Sequence, residues 1–176
     1  MVKTKALDDR VGCTTMLALL EEEYPCDLTC VFTVQEEPGL RGAMTAAWSV
    51  QDADCAIALE GTAANDLGCV DGHLMVCQVG HGVAISPKDM SSIPNRQLYQ
   101  ALQAIGTEDG VRWQYKRYVS GANDAAPLQI RAGAKATCVL SVPCRYIHSP
   151  SSVTSFADVE AQFLLAHRFL CRGGRF

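Results

Sequence analysis

Segments patterned as strands alternate along this chain with segments patterned as helices, and that alternation limits the folds open to it. Residues 11–23 carry apolar side chains at helical spacing and end in an acidic run. Residues 27–34 (DLTCVFTV) are rich in β-formers and run into the turn signal Gln35-Glu36-Glu37-Pro38-Gly39. A short helix is predicted over 41–50, then a short buried strand over 55–59 that ends at Glu60-Gly61. Strands over 74–78 and 83–86 flank a loop at 79–82. Residues 96–108 read as an amphipathic helix and 111–118 as an alternating strand. A loop at 121–126 leads into a short helix ending near residue 132. Residues 136–142 form a second buried strand stopped by Pro143, and 157–171 a terminal amphipathic helix. The expected fold is α/β, with a mostly parallel central sheet and helices on both faces. No repeat, low-complexity tract or linker divides the chain, so residues 1–176 are expected to form one domain.

Composition narrows the function classes. A hydrophobic share of 48% against a charged share of 19% supplies a core and argues against disorder. The net charge of −4 is built from interspersed signs, and no basic or aromatic-basic stripe points to nucleic acid. No segment approaches about 18 consecutive apolar residues, so no membrane span is expected. The first ten residues lack the apolar core of a signal peptide. Nine cysteines, an odd count without a CxxC pair, read as buried free thiols in a reducing, cytoplasmic compartment. The sharper alternative is a structural zinc site at Cys26 and Cys30, which needs two more ligands that the sequence does not place nearby.

In open α/β sheets, ligands collect beyond the carboxyl ends of the strands. Glu36 and Glu37 follow one predicted strand, Glu60 ends another, and His148 lies in the loop after a third. Carboxylates with an imidazole suit zinc, cobalt or manganese, and a cation relieves the repulsion among clustered acids. Taken singly, each residue has a plainer reading. Glu36-Glu37 also suits a solvated turn, Glu60 a loop cap, His148 a structural or surface role, and Asp8-Asp9 the N-cap of the following helix.

Longer strings go further. Ala6-Leu7-Asp8-Asp9-Arg10-Val11-Gly12 resembles the ALDDRxG motif of the glutamyl and deblocking aminopeptidases, cocatalytic metallopeptidases that include endoglucanase-labelled members. The segment from Val31 through Glu36-Glu37-Pro38-Gly39 to Ala43 resembles that family's FTVQEExGLRGA. Ala58-Leu59-Glu60-Gly61-Thr62 with Asp66 resembles LEGT…D, and Ser120-Gly121-Ala122-Asn123-Asp124-Ala125 resembles SGGNDA. Pro143-Cys144-Arg145-Tyr146-Ile147-His148-Ser149-Pro150 matches PxRYIHSP. The motifs occur in the family's order over most of the chain.

The resemblance implies a zinc-aminopeptidase-like fold and metal-dependent removal of amino-terminal residues from peptides. Asp8 bridges two divalent ions, zinc or cobalt, and the Asp8-Asp9 peptide is cis. Glu37 and His148 complete one site with Asp8, and Glu60 binds the second ion. Glu36 is the general base toward metal-activated water, and Asp124 belongs to a substrate-side loop. Family members carry a further histidine, with an aspartate two residues on, ahead of the ALDDR motif. This sequence starts five residues before that motif. His73, His81 and His167 do not match that histidine. Ala122 stands for a family glycine and His81 for a usual lysine. The expectation is a carboxyl-terminal catalytic half without the inserted dimerisation domain, with one ion well bound and the other weakly or not at all. It is further expected to associate with itself or with a complementary amino-terminal half, and to be poorly soluble alone. A metal-binding subunit without activity is the alternative; glycoside hydrolysis by a carboxylate pair is the less favoured one.

Overall fold

The computed structural model describes residues 1–176. Strand β1 (Val2–Thr4) leads into helix α1 (Leu7–Leu19), and helix α2 (Arg41–Ser49) precedes strand β2 (Cys55–Ala63). Strand β3 (Val83–Ile85), helix α3 (Arg96–Glu108), strand β4 (Trp113–Tyr115) and helix α4 (Ala125–Ile130) follow. Strand β5 (Ala136–Cys144), strand β6 (Ser152–Thr154) and helix α5 (Phe156–Cys171) complete the order.

The main sheet has the order β2-β5-β3-β4. β2 runs parallel to β5 over the full length of both, β3 runs parallel to β4, and β3 meets β5 antiparallel. The mostly parallel sheet holds, and its helices cover both faces: α1, α3 and α5 pack on one side, α4 with α2 on the other. Side-chain alternation along β5 divides the core accordingly. Cys138 and Leu140 join Leu98, Leu102, Leu165 and Phe169 under α3 and α5. Val139 points the other way, to Ala58 and Ala125. Val142 and Cys144 close on Leu7 and Val11 of α1.

Local chemistry explains the best-matched element. Asn95 caps α3, its side-chain oxygen accepting from the backbone N–H of Gln97 and Leu98. The helix then buries Leu98, Leu102 and Ile105 at helical spacing.

Other expectations are corrected. Residues 27–34 are not a strand: the segment joins no ladder, and Val31, Phe32 and Val34 stay exposed. β-rich side chains favour extension, but a strand also needs a neighbour to accept its hydrogen bonds. Residues 74–78 are not a strand either. Gly72–Leu74 forms a 3-10 turn, and Val76 and Cys77 donate backbone bonds to Ala64 O instead. β2 continues past residue 59, so Glu60 lies inside the strand and not at its end. Its parallel partner β5 continues equally, to Cys144, through Pro143. Proline is tolerated there because β3 meets β5 only at Leu140 and Ser141, leaving one side of β5 without a ladder to supply. α1 ends at 19 and not at 23; at its start Asp8 and Asp9 depart from helical angles, so its regular turns begin after them, and β4 is limited to three residues. The small β1-β6 sheet was outside the sequence expectation. All nine cysteines are free, but only Cys77, Cys138 and Cys144 are buried.

Candidate metal centre

Two glycines bring the start of α1 against β2. A Cβ on Gly12 would lie 2.3 Å from an Asp9 carboxylate oxygen and 2.7 Å from Leu59 O. A Cβ on Gly61 would lie 3.2 Å from Asp8 Cβ. Without those side chains, Asp8 lies against Gly61, and Asp9 accepts from the Gly12 N–H at 2.9 Å. The Asp8–Asp9 peptide is cis, as the resemblance implied.

Glu36 and Glu37 sit in a tight turn. Gly39 and Leu40 N–H both donate to Glu36 O, at 2.9 and 2.7 Å, and Gly42 N–H donates to Val34 O at 2.9 Å. Gln35 and Leu40 adopt positive φ of 57° and 58° to make it. His148 follows β5 at φ 58°, with Tyr146 at the same angle. Such conformations are strained for residues with a side chain, and they concentrate at functional sites.

Asp8, Glu37 and His148 converge from these three segments, with ligand atoms all within 4.8 Å of one another. His148 Nε2 is 3.1 Å from Asp8 Oδ2 and 3.3 Å from Glu37 Oε2. Two ligands about 2.0–2.1 Å from a shared tetrahedral ion lie roughly 3.3 Å apart, so these separations fit one cation. The His148 side chain is 61% exposed and that of Glu37 57%, which leaves the centre open to solvent. A groove of about 280 Å³, lined partly by Ala63, Leu67, Val70, Tyr146 and Ile147, opens beside the His148 loop.

The electrostatics favour a cation. Burial raises the Asp8 carboxyl, and the Glu37 charge raises it further against the opposing pull of His148. Burial pushes Asp9 up to about 8, with Asp8, Glu36 and Asp124 adding to the rise. Glu36 is pushed up to about 7, by burial and then by the charges of Asp124, Glu37 and Asp8. Glu60 is raised well above the carboxylate range by burial and by Asp9, Asp8, Glu36 and Asp124. Asp124 is raised by burial; its Oδ2 accepts from the Thr33 hydroxyl, while its buried Oδ1 has no partner. Acids held this close disfavour one another's ionisation unless positive charge enters. Oxygen donors with one imidazole suit a divalent ion of the zinc, cobalt or manganese type.

Asp8, Glu37 and His148 thus come together as ligand atoms. Glu36, Glu60 and Asp124 share their electrostatic neighbourhood without joining the three converging atoms. Two features escaped the sequence reading. Asp9 is a half-buried acid facing the same centre, signalled only by the doublet with Asp8. Asp66 accepts two bonds from Arg145, at 2.7 and 2.9 Å, and a third from Val79 N–H at 2.9 Å. That pair ties the segment after β2 to the start of the His148 loop. Both partners lay inside quoted motifs, but nothing in their spacing announced the contact.

Residues 1–165 match the family described as M42 glutamyl aminopeptidase. The lysyl aminopeptidase of Pyrococcus furiosus is 31% identical over 173 residues, covering 95% of this chain and 47% of its own length. Among solved structures, the aminopeptidase APDkam598 from the archaeon Desulfurococcus kamchatkensis aligns with a TM-score of 0.91 at 34% identity, covering 96% of this chain and 48% of that one. The TET1 peptidase of Pyrococcus horikoshii, described as assembling into a tetrahedron or a large octahedral shell, aligns at 0.78 and 27% identity, over 96% of this chain and 49% of that one. The chain spans about half the length of the curated relatives it matches.

Proposed function

The chain belongs to the M42 glutamyl aminopeptidase family, and from that premise we propose that it carries the hydrolytic centre of a metal-dependent aminopeptidase acting on peptides. The observation that carries the reading is the convergence of Asp8, Glu37 and His148 inside a nest of acids. In this reading those three residues hold one divalent ion, zinc or cobalt, and Glu60 with Asp8 serves a second, weaker position. When bound, the metal polarises the scissile carbonyl and makes water more acidic. Glu36 is the general base. It is adjacent in sequence to the ligand Glu37, so its carboxylate can reach the same water, and burial with the charges of Asp124, Glu37 and Asp8 raises its carboxyl. Asp124 holds the Thr33 hydroxyl and so ties the 31–34 segment to the α4 loop on the substrate side.

Assembly into a homo-oligomer is proposed from the similarity to TET1 peptidase, and a cytoplasmic setting from the free thiols. No helix is long and apolar enough to cross a membrane. Glycoside hydrolysis gains no support, since both the matched family and the relatives described above are peptidases.

The test is cleavage of aminoacyl chromogenic substrates by the 176-residue chain with added cobalt or zinc, beside Glu36→Gln. The expected loss in Glu36→Gln is about 10²- to 10⁴-fold in kcat, with metal content unchanged. Metal uptake with no cleavage by either protein would favour a binding subunit and overturn the catalytic reading.

A further inference from the structure

At the opposite end of the sheet the structure gathers a second set of ligand-bearing side chains, which the hydrolytic centre does not use. His167 and Cys171 are four residues apart on α5 and face each other, with Cys171 Sγ 3.4 Å from His167 Nε2. The imidazole is held on its other sides. Tyr24 OH lies 3.2 Å from its Nδ1. Phe163 stacks on the ring at 5.4 Å and 22°, and Tyr24 meets it edge-on at 5.7 Å. This fixes the ring with Nε2 toward the thiol, the arrangement by which neighbours orient a metal-ligating histidine. Cys26 packs against the same helix end: its Sγ lies 3.7 Å from Leu170 O and 3.8 Å from the position a Gly174 Cβ would take. The sequence offered Cys26 and Cys30 as half of a zinc site. In the fold Cys30 turns to Met16 O, and the partners of Cys26 come from α5.

We propose that Cys26, His167 and Cys171 form a thiolate-imidazole site for a borderline-to-soft cation such as zinc(II), separate from the carboxylate centre. A tetrahedral zinc with Zn–N about 2.05 Å and Zn–S about 2.3 Å separates the two ligand atoms by about 3.5 Å, and the observed 3.4 Å already matches that spacing. Cys26 Sγ rests on Leu170 O, so it is a third donor only when its thiol turns away from that carbonyl, and Cys171 is exposed to solvent. The distance from the other centre follows from β2. Cys55 opens that strand on the Cys26 side, and its thiol is raised partly by the Cys26 charge. Glu60 lies five residues further along, about 16 Å at the usual strand rise.

Cobalt(II) distinguishes the two centres, because only a thiolate ligand gives a sulfur-to-cobalt charge-transfer band in the near ultraviolet. The full chain, reduced and metal-free, is titrated with cobalt(II) beside Cys171→Ser, Cys26→Ser, His167→Ala and His148→Ala, with folding of each checked by circular dichroism. The expected result is a thiolate band at about one equivalent that survives in His148→Ala, is lost in Cys171→Ser, and loses intensity in His167→Ala and Cys26→Ser. No band in the reduced chain, or a band unchanged in Cys171→Ser, overturns the proposal. So does a chain that takes up no thiolate-bound cobalt but closes a Cys26–Cys171 disulfide in air.

Discussion

Asp66 is an acid that the fold treats oppositely to those of the acidic cluster. Its side chain is 4% exposed, and the Arg145 guanidinium beside it, with the Val79 N–H, holds its carboxyl below the ordinary range. A carboxyl depressed on folding contributes stability above its unfolded value, near 3.9, and loses that contribution as pH falls through the folded value. Asp66→Asn should therefore cost about 1.5–3 kcal/mol at pH 7. The gap to the parent should shrink as the medium is taken below about pH 4. Urea unfolding across that range checks both, and a gap constant with pH would show that the pair contributes no titratable stability. At this scale the sequence was legible where strings were long. Glu36, Glu37 and His148 stood out because whole motifs surrounded them. Asp9 and the Asp66–Arg145 pair did not, because burial and pairing over 79 positions of sequence separation are properties of the fold.

Element by element, local signals were read well where they suffice. Amphipathic spacing alone gave α3 its bounds, and the terminal helix was off by one residue at its start. Segments whose state depends on a distant partner were read less well. Residues 27–34 have strand composition but no ladder, and β2 and β5 prolong each other through register that neither sequence displays alone. The α1–β2 contact is another such feature, and it rests on Gly12. Gly12→Ala should lose about 1–3 kcal/mol, because its Cβ would meet Leu59 O at 2.7 Å and backbone cannot step aside as a side chain can. Gly68→Ala has open space and no positive φ, and should stay within about 0.5 kcal/mol of the parent. Equal effects in denaturant melts of the two variants would contradict this account of the contact.

For the whole molecule, the α/β class, the two-sided helical cover and the mostly parallel sheet were all legible from alternation, since layer architecture follows from where apolar faces must go. The gathering of Glu36, Glu37, Glu60 and His148 beyond strand ends was expected from the same topology, but the share of Asp9 in that nest of acids was not, because it depends on how the start of α1 meets β2. Acids so clustered cost stability without a cation, so a metal bound by them would couple to folding stability. The most direct measurement is the thermal midpoint of the Cys171→Ser chain, which leaves the carboxylate centre as the one proposed cation site, as zinc is titrated in. The account predicts a rising midpoint, equivalent to about 2.7 kcal/mol of added stability once free zinc reaches roughly 100 times its dissociation constant, and no rise in the same chain carrying His148→Ala. An unchanged midpoint in the first protein, or an equal rise in both, would contradict it.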